Sequence, residues 1–157
     1  MEFTVDAFGL YAKKWALLTA GTEDKFNSMT ISWGGIGTLW NKPVVTAYVR
    51  TTRYTHDFMD KGEYFTISFY PEDKKDILGV FGSKSGRDID KMHYEGLTPK
   101  AAGESVTFDE AEVTLVCKKL FKQKLDEKNM PEDVVKAFYD GDASHDMYIG
   151  EVVDIIR

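Results

Sequence analysis

PVVTAYVRTTRYTH, residues 43–56, is the stretch on which the fold turns. Val and Tyr crowd its first half, side chains that suit a pleated surface, and predict a strand over 43–50. The strand then runs out into hydroxyls and arginines. Thr52 or Thr55 is positioned to cap a short helix over 55–61, and Gly62 to end it.

Working outward, extended segments are expected at 15–20, 28–33, 63–70, 112–124 and 147–156. The chain's 10 Phe, 8 Tyr and 3 Trp stand among many Val, Ile and Thr, which favours strands over a helical bundle. Turn signals separate them at Gly21, Gly34-Gly35, Asn41-Lys42-Pro43, Gly62 and Gly103. With strands spaced about 10 to 15 residues apart, an antiparallel meander or barrel is expected, because parallel crossovers need more regular helices. Two further helices are expected, near 73–81 with Ile77, Val80 and Phe81 on one face, and over 131–139 with Val134, Val135 and Phe138 as an apolar stripe. No Pro/Gly/Ser-rich linker, repeat or low-complexity tract divides the chain, so residues 1–157 are read as one domain.

Charge narrows the partners. Acidic residues outnumber basic ones 26 to 20, a net charge of −6 that repels phosphodiester backbones and anionic leaflets, so neither nucleic acid nor a membrane is expected. The N-terminal MEFTVDAFGL lacks the basic and apolar regions of an export signal, and no apolar run approaches the roughly 20 residues that span a bilayer. Cys117 is a lone cysteine alternating with Val113 and Leu115, which predicts a buried small hydrophobe in a reducing cytoplasm. Gly35-Ile36-Gly37-Thr38-Leu39-Trp40 lacks the third glycine of a dinucleotide fingerprint. Gly82-Ser83-Lys84-Ser85-Gly86 puts lysine where a nucleophile elbow needs serine. His56, His93, His145 and Cys117 are too scattered for a metal site, and none is expected.

Three polar segments then interrupt the apolar pattern. In Asn27-Ser28-Met29-Thr30-Ile31-Ser32-Trp33, the hydroxyls of Ser28, Thr30 and Ser32 recur with period two and share one strand face, either a solvent-facing edge or a ligand surface. Arg50 to His56 concentrates guanidiniums, hydroxyls and the free N–H groups of a helix start. That set holds a phosphate or, alternatively, pairs with surface carboxylates. Gly82 to Lys91 combines small residues with Lys84, Arg87 and Lys91, and is either a loop that closes on an anion or a solvated one.

Taken in order, NSMTISWGG at 27–35, PVVTAYVR running into RYTH at 43–56, and SGRDIDK at 85–91 resemble the flavin reductase-like family of FMN-binding split barrels, in particular its flavoredoxin-type members. The resemblance spans roughly residues 7–100 and, more loosely, the last strands. It implies a mainly β, antiparallel split barrel with a few short helices, FMN as cofactor, NAD(P)H as electron donor and a homodimer. Position by position, it assigns Asn27, Ser28, Met29, Thr30, Ser32 and Trp33 to the isoalloxazine and ribityl chain. Arg50, Arg53, Tyr54 and Thr55 are assigned to the phosphate, and Ser83, Ser85, Gly86, Arg87 and Lys91 to the loop closing over it. The flavin carries the redox chemistry in such proteins, so no side-chain acid or base is required. An electron carrier that docks a redox protein is the alternative to a reductase. The segment 118–142, rich in Lys, Asp and Glu, is either a specificity lid or a solvated insertion.

Overall fold

The computed structural model describes residues 1–157. Nine strands and four α-helices form it: β1 Ala16–Thr22, β2 Lys25–Ile31, β3 Gly34–Leu39, β4 Lys42–Arg50, β5 Tyr64–Phe69, β6 Pro99–Ala102, β7 Ser105–Phe108, β8 Val113–Lys124 and β9 His145–Ile156, with α1 Ala7–Gly9, α2 Tyr54–Lys61, α3 Lys75–Ser83 and α4 Glu132–Phe138. Seven strands make one antiparallel sheet in the order β2-β1-β5-β8-β9-β4-β3, and β6-β7 stands apart as a hairpin.

The order corrects the simple meander. Only the β1-β2, β3-β4 and β8-β9 neighbours of the large sheet are consecutive in sequence, while β1-β5, β5-β8 and β4-β9 pair across long separations. The sheet also curls on itself. Met29 and Ile31 near one edge share a single core with Val45, Ala47 and Val49 near the other, and Leu18, Phe65, Ile67, Leu115 and Tyr148 fill the space between. Strands β2 and β3 remain the unpaired edges, which makes the barrel split. Register shifts between Val116 and Cys117 and between Lys119 and Phe121 bend the long β8-β9 ribbon around the curve.

β1 shows why its sequence is apolar without a break. Leu18 points into the barrel, while Leu17 joins Phe26, Leu78, Phe81, Val106 and Phe108 in a second core on the outer face, beneath α3 and the β6-β7 hairpin. Each such buried side chain contributes about 1.5–3 kcal/mol. Cys117 is buried in the inner core, and burial pushes its thiol up.

Three expectations need correction. Gly34-Gly35 is not a turn but the start of β3, where the Tyr11 ring lies so close that a Cβ at Gly34 would fall 2.7 Å from Tyr11 Cζ. The β6-β7 hairpin, turning at Gly103 with φ +60°, lies where no strand was expected. No hydroxyl caps α2: its N-cap is Arg53, and Thr55 is buried. The α4 stripe is present but thinly covered, and Phe138 is 43% exposed.

Candidate functional site

Two adjoining clefts meet at Arg53. The first, about 160 Å³, is polar and lies between the start of α2 and the turn after α3. Its wall includes Asn27, Arg53, Thr55, Gly86, Arg87 and Lys91. The second, about 180 Å³, is more apolar and runs along the end of β2, with Met29, Trp33, Tyr48, Arg50, Arg53 and His145 around it. Size alone does not select these clefts. A larger groove of about 490 Å³ is bordered by Glu23, Glu63 and Glu104 and carries no cation.

The polar cleft is built by position. Strand β4 ends at Arg50, the chain turns, and α2 begins at Tyr54 with its first N–H groups unsatisfied, so its positive end borders the cleft. The Arg53 guanidinium donates to the carbonyls of Gly82 (3.0 Å) and Phe81 (3.2 Å). Lys91 Nζ donates to the carbonyls of Ser28 (2.9 Å) and Phe81 (3.1 Å), and the residue is only 3% exposed. The two cations thus share one carbonyl acceptor, and neither forms an ion pair with a carboxylate. Burial lowers the Arg53 pKa. Burial, reinforced by repulsion from Arg53, pushes Lys91 down to about 8.

Gly86 makes the cleft tight: a Cβ there would strike Asn27 Oδ1 and come within 3.0 Å of the Tyr54 ring. Asn27 Nδ2 in turn donates to Thr55 Oγ1 at 2.9 Å, tying β2 to α2. Arg87 lies 4.8 Å over the Tyr54 ring, donates to the Thr52 carbonyl at 3.2 Å and pairs with Asp57 at 3.4 Å, so the turn folds back over the helix start. The Ser85 hydroxyl accepts from Arg87 N–H, and that of Ser83 donates to the Gly79 carbonyl.

The hydroxyl row of β2 is a shared face, but it is not a row of free groups. Ser28 is fully buried with its hydroxyl 2.7 Å from that of Thr19, and Thr30 donates to the Leu78 carbonyl of α3. Only Ser32, exposed beyond the strand end, keeps its side chain open beside the second cleft. Met29 faces the barrel core and reaches the cleft from within.

Arg50 departs from its expected place. It lines the apolar cleft instead of the polar one, and its guanidinium donates to the carbonyls of Ala143 (2.6 Å) and Phe138 (2.9 Å) while lying 5.3 Å from the Tyr139 ring centre. Arg50 therefore moors the end of α4. Trp33, 45% exposed, meets Phe138 edge-on at 5.2 Å, so part of the segment 118–142 leans on the cleft mouth.

Tyr48 and His145 were missed by the sequence reading. Tyr48 alternates with Thr46 and Arg50 on the half-buried face of β4, a period-two signal that was available. His145, the first residue of β9, had no pattern to announce it. Its Nδ1 is 2.8 Å from the Tyr139 hydroxyl, and burial together with Arg50 pushes its pKa down to about 4.

The rim of this split antiparallel barrel thus carries a cationic cleft beside a more aromatic one. The chain belongs to the flavin reductase like domain family, whose sequence profile matches residues 8–157. An FMN-binding protein from Thermus thermophilus with bound p-hydroxybenzaldehyde superposes with a TM-score of 0.72 at 20% identity, covering 100% of this chain and 79% of that one. Flavoredoxin from Methanosarcina acetivorans gives 0.72 at 18% identity, covering 99% and 74%. At these identities the likeness is one of fold. A curated relative, high molecular weight rubredoxin from Moorella thermoacetica, is 30% identical over 111 residues, which is 66% of this chain but only 46% of that protein.

Proposed function

We propose that the two clefts hold one FMN, with the phosphate at Arg53, Lys91 and the start of α2 and the isoalloxazine between Met29, Trp33 and Tyr48. The observation that carries this is the buried Lys91 beside the half-buried Arg53, neither paired with a carboxylate, in a protein of net charge −6. Burying a cation is costly unless an anion compensates it, and a phosphate with nearly two negative charges does so for both. Thr55, Asn27, Ser83, Ser85, Gly86 and Arg87 shape the cradle, and Arg50 acts from the neighbouring cleft.

On this reading the protein is a flavin reductase-like oxidoreductase, and bound FMN would supply hydride acceptance from NAD(P)H and electron delivery to an acceptor. The chain's own residues bind and orient. Arg53 and Lys91 fix the phosphate end, the Ser28 and Thr30 hydroxyls hold β2 against β1 and α3, and the Trp33 and Phe138 rings border the mouth. No side chain is assigned a proton transfer. The test is anaerobic mixing of FMN-loaded protein with NADH or NADPH. Rapid loss of the yellow absorbance with either donor supports the reductase, and no bleaching with either rejects it.

The exposed Trp33–Phe138 pair favours a second reading, an electron carrier that docks a redox protein at this mouth, since exposed aromatics are enriched at interfaces. The relative named as a rubredoxin is in keeping with such a partner. A homodimer is part of the proposal: β2 and β3 are unpaired edges, and Trp40 at the β3-β4 turn forms an exposed aromatic pair with Phe121 of β8. A cytoplasmic location is proposed on the single buried cysteine.

A further inference from the structure

The acidic groove of about 490 Å³ shares no wall residue with the two clefts at Arg53, and its size is that of a site for a small organic molecule. Three turns build it, β1-β2, α2-β5 and β6-β7, and each contributes one exposed glutamate: Glu23, Glu63 and Glu104. None of the three forms an ion pair, and no lysine or arginine stands on the wall. Lys119, which Glu63 attracts, is held instead by the carbonyls of Met59 (2.6 Å) and Asp60 (3.2 Å).

Surface glutamates alone make an ordinary solvated rim, and Ser105 is what sets this one apart. The residues of β7 alternate: Val106 and Phe108 join the outer core, so Ser105 and Thr107 take the opposite face. Thr107 finds the Thr114 hydroxyl at 2.6 Å. Ser105, beside the turn, is 2% exposed, and its hydroxyl on the groove wall has no partner in the protein. A buried hydroxyl left so is costly, and a ligand that supplies the hydrogen bond recovers that cost. The half-buried Tyr64 ring forms a further wall. Lys118 Nζ already approaches its centre to 5.9 Å, so the ring is open to an ammonium group.

The three carboxylates stand on separate turns and do not gather into a set that could hold a metal ion. They suit a ligand whose own charges are spread along a chain. We infer that this groove binds a linear polyamine, with ammonium groups at Glu23, Glu63 and Glu104, its methylene chain along the Tyr64 ring and one N–H donated to the Ser105 hydroxyl. That hydroxyl is shielded from solvent, so the amine reaches it as the exposed Gly103-Glu104 turn yields, at the tip of a hairpin whose strands have only four residues each. The site stands apart from the flavin reading and does not depend on it.

The experiment titrates the full chain at low salt by calorimetry with three probes: spermidine, n-butylamine and magnesium chloride. Spermidine should bind at least about tenfold more tightly than either of the others. The double variant Glu63→Gln, Glu104→Gln should lose about tenfold in spermidine affinity, and a control pair on another surface groove, Glu127→Gln with Glu132→Gln, should stay within about twofold of wild type. Ser105→Ala should weaken spermidine about threefold, and because it changes no charge it separates a built site from a diffuse acidic surface. A thermal melt verifies that each variant is folded. Equal binding of spermidine and n-butylamine, or magnesium binding as tight as spermidine, overturns the proposal. So does affinity that survives the Glu63, Glu104 pair, an equal loss in the control pair, or a Ser105→Ala protein that binds as wild type does.

Discussion

Two polar clusters flank α2, and they handle charge in opposite ways. Along one side, His56 Nε2 lies 2.6 Å from Asp146, Asp60 accepts from the Tyr148 hydroxyl at 2.7 Å, and Lys122 reaches Asp60 at 2.8 Å and Asp146 at 3.5 Å. Lys122 there has two carboxylates within reach. Burial opposes ionisation of Asp60, but hydrogen bonds from Lys122 and Tyr148 win and lower its pKa. At the start of the same helix, Arg53 and Lys91 are gathered on backbone carbonyls with no acid at all. A compensated network is a fastening between elements, here α2, β8 and β9. An uncompensated one raises the energy of the empty protein and lowers it again when an anion arrives.

Substitutions separate the two roles. Arg53→Ala should weaken FMN binding by about 3 kcal/mol, roughly a hundredfold, through loss of a charge-assisted contact, while thermal stability of the apoprotein stays within about 1 kcal/mol of wild type. Flavin titration and thermal melting check the pair of outcomes. Asp146→Asn should do the reverse. It strips the buried acid from His56 and Lys122, costing about 2 kcal/mol of stability in a denaturant melt, with FMN affinity little changed.

The pH dependence is sharper still. Lys91 sits at about 8 in the folded protein against an ordinary 10.5, so between those values the unfolded chain binds more protons, and apoprotein stability rises as pH climbs through the window. A phosphate prefers the ammonium form. FMN affinity should therefore fall by up to about tenfold per pH unit above 8, and Lys91→Met should flatten that dependence. Smallest in effect is Gly86→Ala. Its added methyl meets Asn27 Oδ1 and Tyr54, so the turn must shift, with a loss of about 1 kcal/mol in FMN affinity and less in stability.

The strands flanking the site were legible because each carries a strong local signal. β4 has its valines and Tyr48, and β1 has an apolar run that two cores account for on its two faces. The β3 edge was not legible, since its glycines read as a turn, whereas Gly34 accommodates the Tyr11 ring and Gly35 the Thr46 hydroxyl. The β6-β7 hairpin has strands of four residues, too short for a period to register. Of the site, the three polar segments were visible as breaks in the apolar pattern, and Arg53, Thr55, Gly86, Arg87 and Lys91 lie around a common cleft. What the chain could not announce was long-range. Arg50 and Arg53 stand three residues apart, yet one reaches 93 positions along to Ala143 and the other reaches the end of α3. Nor could a single histidine at residue 145 be told from a core histidine until Tyr139 and Trp33 were seen around it.

If Arg53 and Lys91 await a phosphate, they must distinguish FMN from riboflavin, which differs only in lacking that group. By calorimetric titration of the purified protein at pH 7, FMN should bind about a hundredfold more tightly than riboflavin, and the difference should shrink below tenfold in Lys91→Met. Equal affinity of wild-type protein for the two would mean that the paired cations do not serve the flavin's phosphate, and the account would fail.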